Sequence, residues 1–473
     1  MAENKKLDFT DPDIIAVNFL TNYIFDPEPD IEKFPSSRNA LCYTLTNWQD
    51  EFYLWQEGCW HRLSDAEVRR LITSYLQNLN YSNADSGGEA EMITIGVQRV
   101  NNIMLCITGR CWISELRPIN SWPDGREKII NTVAVKNGLL CWDKKDPQVK
   151  ITLMKHTPKF FNLSILPYDF TPEAKCPDFL NFLNDVMLKR QEYIDLLQLF
   201  IGYIFRPDLR EQKFLLCCGE GANGKSVFFE VVQALVGKEN CSQVGLTHFS
   251  DRFALYETLG KMVNLTAESS HIIDDEAENV LKGYVAGDRF TFERKFKDPV
   301  SAEPTAKIMI STNSLPRFRD KTQAVWRRII LVPFEKTVLP ESQIKDLAVM
   351  LKKELSGILN CAFDGLRKLN DTGFVLPASH NEYIENYRKD ADPARAFLLE
   401  NYTVSNNSDS VECKDLYNHY CQWCKDSGFE NVNNRLFGQI VRRVFPDVDR
   451  TQTGTGSNRT WRYSKLKVIG DET

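Results

Sequence analysis

The sequence predicts an α/β protein built on a mainly parallel sheet, and three observations carry that expectation. The apolar stretch "KFLLCC" runs into the glycine-rich turn "GEGANGKS" (Gly219–Ser226), which opens the helical pattern "VFFEVVQALVG". Residues 213–335 alternate strand and helix patterns, as a parallel sheet with crossover helices does. The chain has 473 residues, 42% hydrophobic and 26% charged, enough for roughly two to four domains with cores of their own.

Composition also excludes. No apolar run reaches the roughly 18 residues of a membrane helix, and "MAENKKLDFTDPD" has no signal-peptide core, so a cytosolic setting without membrane contact is expected. The 13 cysteines are scattered, and Cys106, Cys217 and Cys218 sit in apolar runs, which suits reduced thiols. Cys421 and Cys424 in "CQWC" lack a second pair at zinc spacing. The net charge of −6 argues against a generic nucleic-acid coat, but the charge is unevenly spread. Between Arg435 and Lys467 eight Lys/Arg face two Asp, whereas the first 33 residues carry eight acids against three lysines.

From the N-terminus, residues 1–40 read as an acidic arm. Residues 41–170 read as an α+β domain, with strands at "FYLW", "IMLCI" and "VAVKNGLLCW" and a helix opened by the capping box Ser64/Glu67. Prolines 158, 167, 172 and 177 mark a linker, and residues 171–210 then read as one or two amphipathic collar helices. The α/β core spans residues 211–390. A long helix is expected at about 341–369, where Ile344, Leu347, Leu351, Leu355, Ile358, Ala362 and Leu366 recur at helical spacing, packed against the sheet domain. "DADPAR" marks the last boundary, before a module at 391–473.

"GEGANGKS" has the P-loop form in the strand–loop–helix context that the motif needs. Glycines let backbone N–H groups close around phosphates, and the helix N-terminus adds its positive dipole end. The expected cradle is Gly219, Gly221, Ala222, Asn223, Gly224, Lys225, Ser226 and Val227, with Lys225 on the β and γ phosphates and Ser226 on Mg²⁺. An acid at a neighbouring strand end is needed for the metal or the attacking water. Glu268, closing "KMVNLTAE", is favoured over Asp274 and Asp275, which suit the start of the next helix. Asn313, closing "AKIMISTN", either orients water and senses the γ-phosphate or merely starts a turn. Arg327 and Arg328 in "VWRRIILVPF" are either structural or an arginine finger.

In the order "GEGANGKS", "NLTAE", "RFTFERKFKDPVSAEP", "IMISTN", "AVWRRIILVPF", the chain resembles a superfamily 3 helicase of the poxvirus and phage/plasmid primase-helicase type. The resemblance covers about residues 45–465, with the marker "NGLL" at 137–140 in the preceding region. It implies an AAA+ ATPase using ATP and Mg²⁺, a hexameric ring, and 3′–5′ translocation on single-stranded DNA in replication of a mobile element. It maps Lys225 and Ser226 to the Walker A pair, Glu268 to Walker B, Asn313 to the sensor, and Arg328, with Arg327 as substitute, to the finger. "RFTFERKFKDPVSAEP" maps to the channel hairpin. There "FTFERKF" alternates, "KDP" supplies a turn, and Arg294, Lys295 and Lys297 supply cations for phosphates. The acids at 11–13 and 26–30 lie in proline-punctuated sequence, so priming is expected from a separate primase. An origin-melting initiator and a non-enzymatic, nucleotide-gated scaffold stay open as alternatives.

The C-terminal module reads as helix ("VECKDLYNHYCQWCKDSG"), helix ("NNRLFGQIVRRVF") and basic hairpin, a winged-helix pattern that the family also carries. Arg442 and Arg443 would face a duplex and Arg459 and Arg462 would line the wing, the rival being a protein-docking module.

Overall fold

Asp11 opens the first helix where an acidic arm is expected. Its carboxylate accepts the Asp13 N–H at 2.8 Å, Pro12 occupies the first turn, and α1 (Pro12–Thr21) follows. Ile15, Ala16, Phe19 and Leu20 are buried in the N-terminal core, so this part of the expected arm belongs to the domain. Asp13 pairs with Arg110, which holds its carboxyl below the usual range. The computed structural model describes residues 11–23, 43–85, 93–114, 117–146, 148–268, 272–318, 323–339, 341, 343–405, 409–454 and 459–469. The rest of the expected arm, residues 1–10 and 24–40, lies outside them.

Two units result, residues 1–314 with 327–375, and residues 315–326 with 376–473. In the first, β1 (Leu45–Trp48), β2 (Glu51–Gln56) and β3 (Cys59–Leu63) form an antiparallel meander. The capping box opens α2 (Asp65–Asp85), with the Ser64 N–H donating to Glu67 Oε2 at 2.7 Å and the Glu67 N–H to Ser64 Oγ at 3.3 Å. "IMLCI", expected as a strand, lies inside α3 (Val97–Cys111), which buries Val100, Ile103, Ile107 and Cys111 at three- and four-residue spacing. A short apolar run does not distinguish the two states by itself. The sheet β4 (Ile130–Val135), β5 (Gly138–Asp143), β6 (Thr152–Met154) follows.

Two collar helices, α4 (Pro177–Val186) and α5 (Gln191–Ile204), lead to the core. There β7 (Phe214–Cys218), α6 (Lys225–Val236), β8 (Cys241–Ser242), β9 (Val263–Glu268), β10 (Ile272–Ile273), α7 (Asp275–Ala286), the hairpin β11 (Phe290–Arg294) and β12 (Lys297–Ala302), and β13 (Lys307–Thr312) come in turn. After β14 (Arg317–Phe318) and α8 (Gln323–Trp326), which belong to the second unit, β15 (Ile329–Pro333) returns. The five-stranded sheet is all parallel in the order β15-β7-β13-β9-β8. Burial on both faces explains why its strands read as continuous apolar runs.

The expected helix at 341–369 is broken, into α9 (Leu347–Leu351), a tight turn at Lys352–Glu354, and α10 (Leu355–Thr372). At the break, the Glu354 carboxylate accepts the N–H groups of Asp178 at 3.2 Å and Phe179 at 2.9 Å, capping α4. α10 lies against α5 of the collar, where a Cβ on Gly202 would stand 2.5 Å from the Ala362 carbonyl and one on Gly365 2.2 Å from that of Gln198.

The second unit starts before the predicted boundary. α11 (Ala378–Ala391) belongs to it, because Tyr387 packs edge-on against Trp326 of α8 at 4.9 Å and donates its hydroxyl to the Pro316 carbonyl. α12 (Pro393–Asn401), β16 (Tyr402–Val404), β17 (Ser410–Glu412), α13 (Cys413–Ser427), α14 (Asn434–Val444), β18 (Arg450–Thr453), β19 (Thr460–Ser464) and β20 (Leu466–Val468) complete it. Tyr420 of α13 stacks on Phe437 of α14 at 4.5 Å in its core. β19 pairs with β17 and β18, while β16 pairs with β20.

Candidate functional site

The loop after β7 is pinned on two sides. The Gly219 N–H donates to the Thr312 carbonyl at 3.2 Å, and the Asn223 side chain donates to the Phe334 carbonyl at 3.0 Å. Gly221 and Gly224 have φ of +111° and +89°, and a Cβ on Gly224 would meet Val186 Cγ1 at 2.6 Å, so glycine is required there by conformation and by space. Lys225 begins α6 with its ammonium buried, donating to the Gly219 carbonyl at 2.5 Å and Asn223 Oδ1 at 3.0 Å. Burial pushes that ammonium below the ordinary lysine range. Ser226 is exposed in the first turn of α6.

The sheet order gathers the predicted residues at one edge. β13 lies between β7 and β9, with Thr312 in register with Cys218 on one side and Glu268 on the other. Glu268 thus ends the strand next but one to the glycine loop, and Asn313 follows the strand between them. A cavity of about 520 Å³ opens at this edge, lined by Gly221–Val227, Ala267, Thr312 and Asn313, with Phe182, Val186, Val338, Ile344 and Leu347 as an apolar wall. The glycine loop and the apolar wall thus face one another across a single cavity. Asp274 accepts the Ala277 N–H at 2.7 Å as the N-cap of α7, the helix start its sequence suggests.

Arg327 and Arg328 are not part of that cluster. Ile329 is in register with Phe214, at the opposite edge of the sheet from Cys218 and the loop. Four residues of strand, about 13 Å at 3.3 Å each, separate the two edges, so neither arginine reaches the loop of its own chain. The two also differ in exposure. Arg328 is buried, which lowers its pKa, whereas Arg327 is exposed.

The hairpin β11–β12 forms in an unexpected register. Arg294 pairs with Lys297, so the turn is Lys295–Phe296, and "KDP" lies in β12. Phe296 takes φ +60° and is completely exposed, while Lys295 sits 5.8 Å above the Phe253 ring. Arg294, expected as a cation for phosphates, is turned inward: it pairs with the buried Glu51 of β2 at 2.9 Å and donates to the Asp298 carbonyl at 2.6 Å. Lys297 pairs with the same carboxylate at 3.1 Å while remaining partly exposed. Glu51 also pairs with Arg62 on the neighbouring strand β3, but its partners Tyr256, Arg294 and Lys297 lie more than 200 residues away and leave no local signal in the sequence.

In the second unit, Arg442, Arg443 and Arg459 are exposed. Arg443 lies 3.6 Å from Asp392. Arg462, expected on the wing surface, is half-buried and spends its guanidinium on the Ser410 hydroxyl and carbonyl, both at 2.8 Å, which ties β19 to β17. The Gly-rich tip, residues 455–458, lies outside the described residues.

Two family likenesses fall on separate stretches of the chain. Residues 217–328 match the family described as "Family of unknown function (DUF5906)", and residues 392–470 match the RFX DNA-binding domain. Among individual proteins, the chain is 22% identical over 241 residues to "Putative helicase L207/L206" of Acanthamoeba polyphaga mimivirus, covering 46% of this chain and 25% of that protein. It is 22% identical over 347 residues to "Putative helicase 184R" of Invertebrate iridescent virus 6, covering 64% and 35%. The chain therefore spans about a quarter to a third of those relatives. The human MHC class II regulatory factor RFX1 is 31% identical over 97 residues, 20% of this chain and 10% of that protein. The C-terminal region of NrS-1 shares the fold across 97% of this chain and 100% of its own, with a TM-score of 0.54 at 10% identity.

Proposed function

We propose that the chain is an ATP-dependent DNA helicase of superfamily 3, with an AAA+ core and a C-terminal winged helix, acting in replication of a phage, plasmid or other mobile element. One observation carries the reading: the glycine loop, Lys225, Ser226 and Asn313 line one cavity, while the arginine pair sits at the far edge of the same sheet. A site so divided is completed by a second copy, which calls for a ring, taken here as a hexamer. The residues present fit a nucleoside triphosphate with Mg²⁺. Backbone N–H groups and Lys225 would hold the phosphates, Ser226 and Glu268 the metal, and the apolar wall the base. The bound metal supplies charge neutralisation at the transferring phosphoryl group. Asn313 orients water, and Arg327 of a neighbouring copy is the accessible finger. The similarity of the core to viral proteins named as helicases supports the motor, and the RFX match supports duplex binding by Arg442, Arg443 and Arg459. Translocation is assigned to single-stranded DNA, 3′–5′, with priming left to a separate primase.

The test is DNA-stimulated ATP hydrolysis and strand displacement by a size-characterised oligomer, with Lys225→Ala beside it. Lys225 is the cation inside the loop, so the variant is expected to stay folded and lose turnover; wild-type turnover in it would refute the site. A second reading, an origin-melting initiator, is favoured by the RFX match. It predicts local melting at a preferred duplex and little displacement of long strands.

A further inference from the structure

We infer that the junction between the N-terminal meander and the hairpin is a nucleic-acid phosphate subsite, formed by Arg62 of β3 and Lys297 of β12 and held in shape by Glu51. The inference rests on the helicase reading, because it extends the path of the single strand from the hairpin onto the N-terminal domain.

The geometry starts from Glu51. It follows a tight turn in which Gln49 and Asp50 have φ of +49° and +59°, and its side chain is only 2% exposed. One oxygen, Oε1, pairs with Arg62, with Arg294 at 2.9 Å and with Lys297 at 3.1 Å; the other accepts the Tyr256 hydroxyl at 3.2 Å. Three cations therefore share one carboxylate, and the cluster keeps an excess of two positive charges. The flanking acids do not cancel it from within: Asp50 and Asp298 are exposed to solvent, and Asp298 follows Lys297 in the strand and so points to the other face.

The three cations have different freedom. Arg294 is 4% exposed and also bonded to backbone carbonyls, so it serves as Glu51's permanent partner. Arg62 and Lys297 are 45% and 37% exposed. Since both touch the same oxygen atom, their charged heads lie within two hydrogen-bond lengths of each other, about 6 Å. That spacing lets one phosphate bridge them. The Arg62 guanidinium also lies over the Tyr256 ring at 5.6 Å, which orients its remaining donors. Glu51 is thus a positioning residue, and Arg62 and Lys297 are the contacts.

The test is anisotropy of labelled oligo(dT) with the full chain across a salt series. Arg62→Gln is expected to weaken binding at least about tenfold, the lower end for one charge-assisted bond, and to lower the slope of log affinity against log salt by about 0.7 per engaged subunit. Arg62→Lys should restore the slope. Thermal unfolding identifies any variant that fails to fold, in which case Lys297→Gln takes its place with the same expected change. Wild-type binding with an unchanged slope in folded Arg62→Gln overturns the subsite and leaves the helicase reading standing. Absence of oligo(dT) binding by the wild type removes both.

Discussion

Phe214 donates its backbone N–H to the carbonyl of Arg328 at 2.9 Å, and that contact sets the arginine pair and the phosphate loop at opposite ends of one strand. With Lys225 beyond the far end of β7, the proposed hydrolysis would draw neither Arg327 nor Arg328 from the same copy. If Arg327 is the finger, Arg327→Ala subunits bind ATP without hydrolysing it. Mixed with Lys225→Ala subunits they regain turnover, because some boundaries then combine an intact loop with an intact arginine. ATPase across mixing ratios reads this out, and no recovery in confirmed mixed rings would place the finger elsewhere. Arg328→Ala, by contrast, is expected to lower thermal stability, since Arg328 is buried.

The tip of the hairpin separates stability from work. Phe296 is wholly exposed and buries nothing, so Phe296→Ala should change stability by no more than about 0.5 kcal/mol. If the tip engages DNA bases, the same variant loses strand displacement and DNA-stimulated ATPase. A variant with wild-type displacement shows that the ring is a bystander and leaves Lys295 as the contact.

Two arginines of the C-terminal hairpin should behave oppositely. Arg459 is free to meet a duplex, so Arg459→Gln is expected to lower duplex affinity and reduce the salt slope by about 0.9, with unchanged unfolding temperature. Arg462 is bonded to Ser410, so Arg462→Gln is expected to cost about 1–3 kcal/mol of stability before any effect on DNA. Equal salt slopes for Arg459→Gln and the wild type would favour a protein-docking module.

Lys307 gives a pH signature. It is fully buried at the start of β13, where it donates to the carbonyls of Arg206 and Thr305. Burial pushes its ammonium down to about 7, with Asp208 opposing and Arg206 reinforcing the shift. An unfolded lysine titrates near 10.4, so between about 7 and 10 the unfolded chain binds more protons than the native one. Stability from this group therefore rises with pH across that window and is flat below it. The difference in urea stability between Lys307→Met and wild type should favour the variant most below pH about 7 and shrink as pH rises. A difference independent of pH would show that Lys307 does not titrate there.

Much of the core was legible because its signals are local. Strand, glycine turn and helix are contiguous from Phe214 to Val236, and the Ser64/Glu67 box spans one helical turn. Buried parallel strands announce themselves as apolar runs, and an asparagine or acid closing such a run is a candidate by position alone. The same locality misled at "IMLCI", where five apolar residues fit either state and only the packing of α1 against α3 decided for helix.

What the sequence determined by itself was the strand, glycine turn and helix around the loop and the order of those elements along the chain, since both follow from neighbours within about one turn or one strand. Tertiary structure alone decided which residues face one another. The insertion of β13 between β7 and β9 brings Asn313 to the cavity edge. The register of β15 sends Arg327 and Arg328 to the far edge. The partnership of Glu51 with Arg294 and Lys297 turns one expected DNA cation inward and leaves the other at the surface. Each depends on pairing between residues about 45 to 250 positions apart, where the deciding energies are burial and ion pairing between elements, and a linear reading of residue types carries no record of those partners.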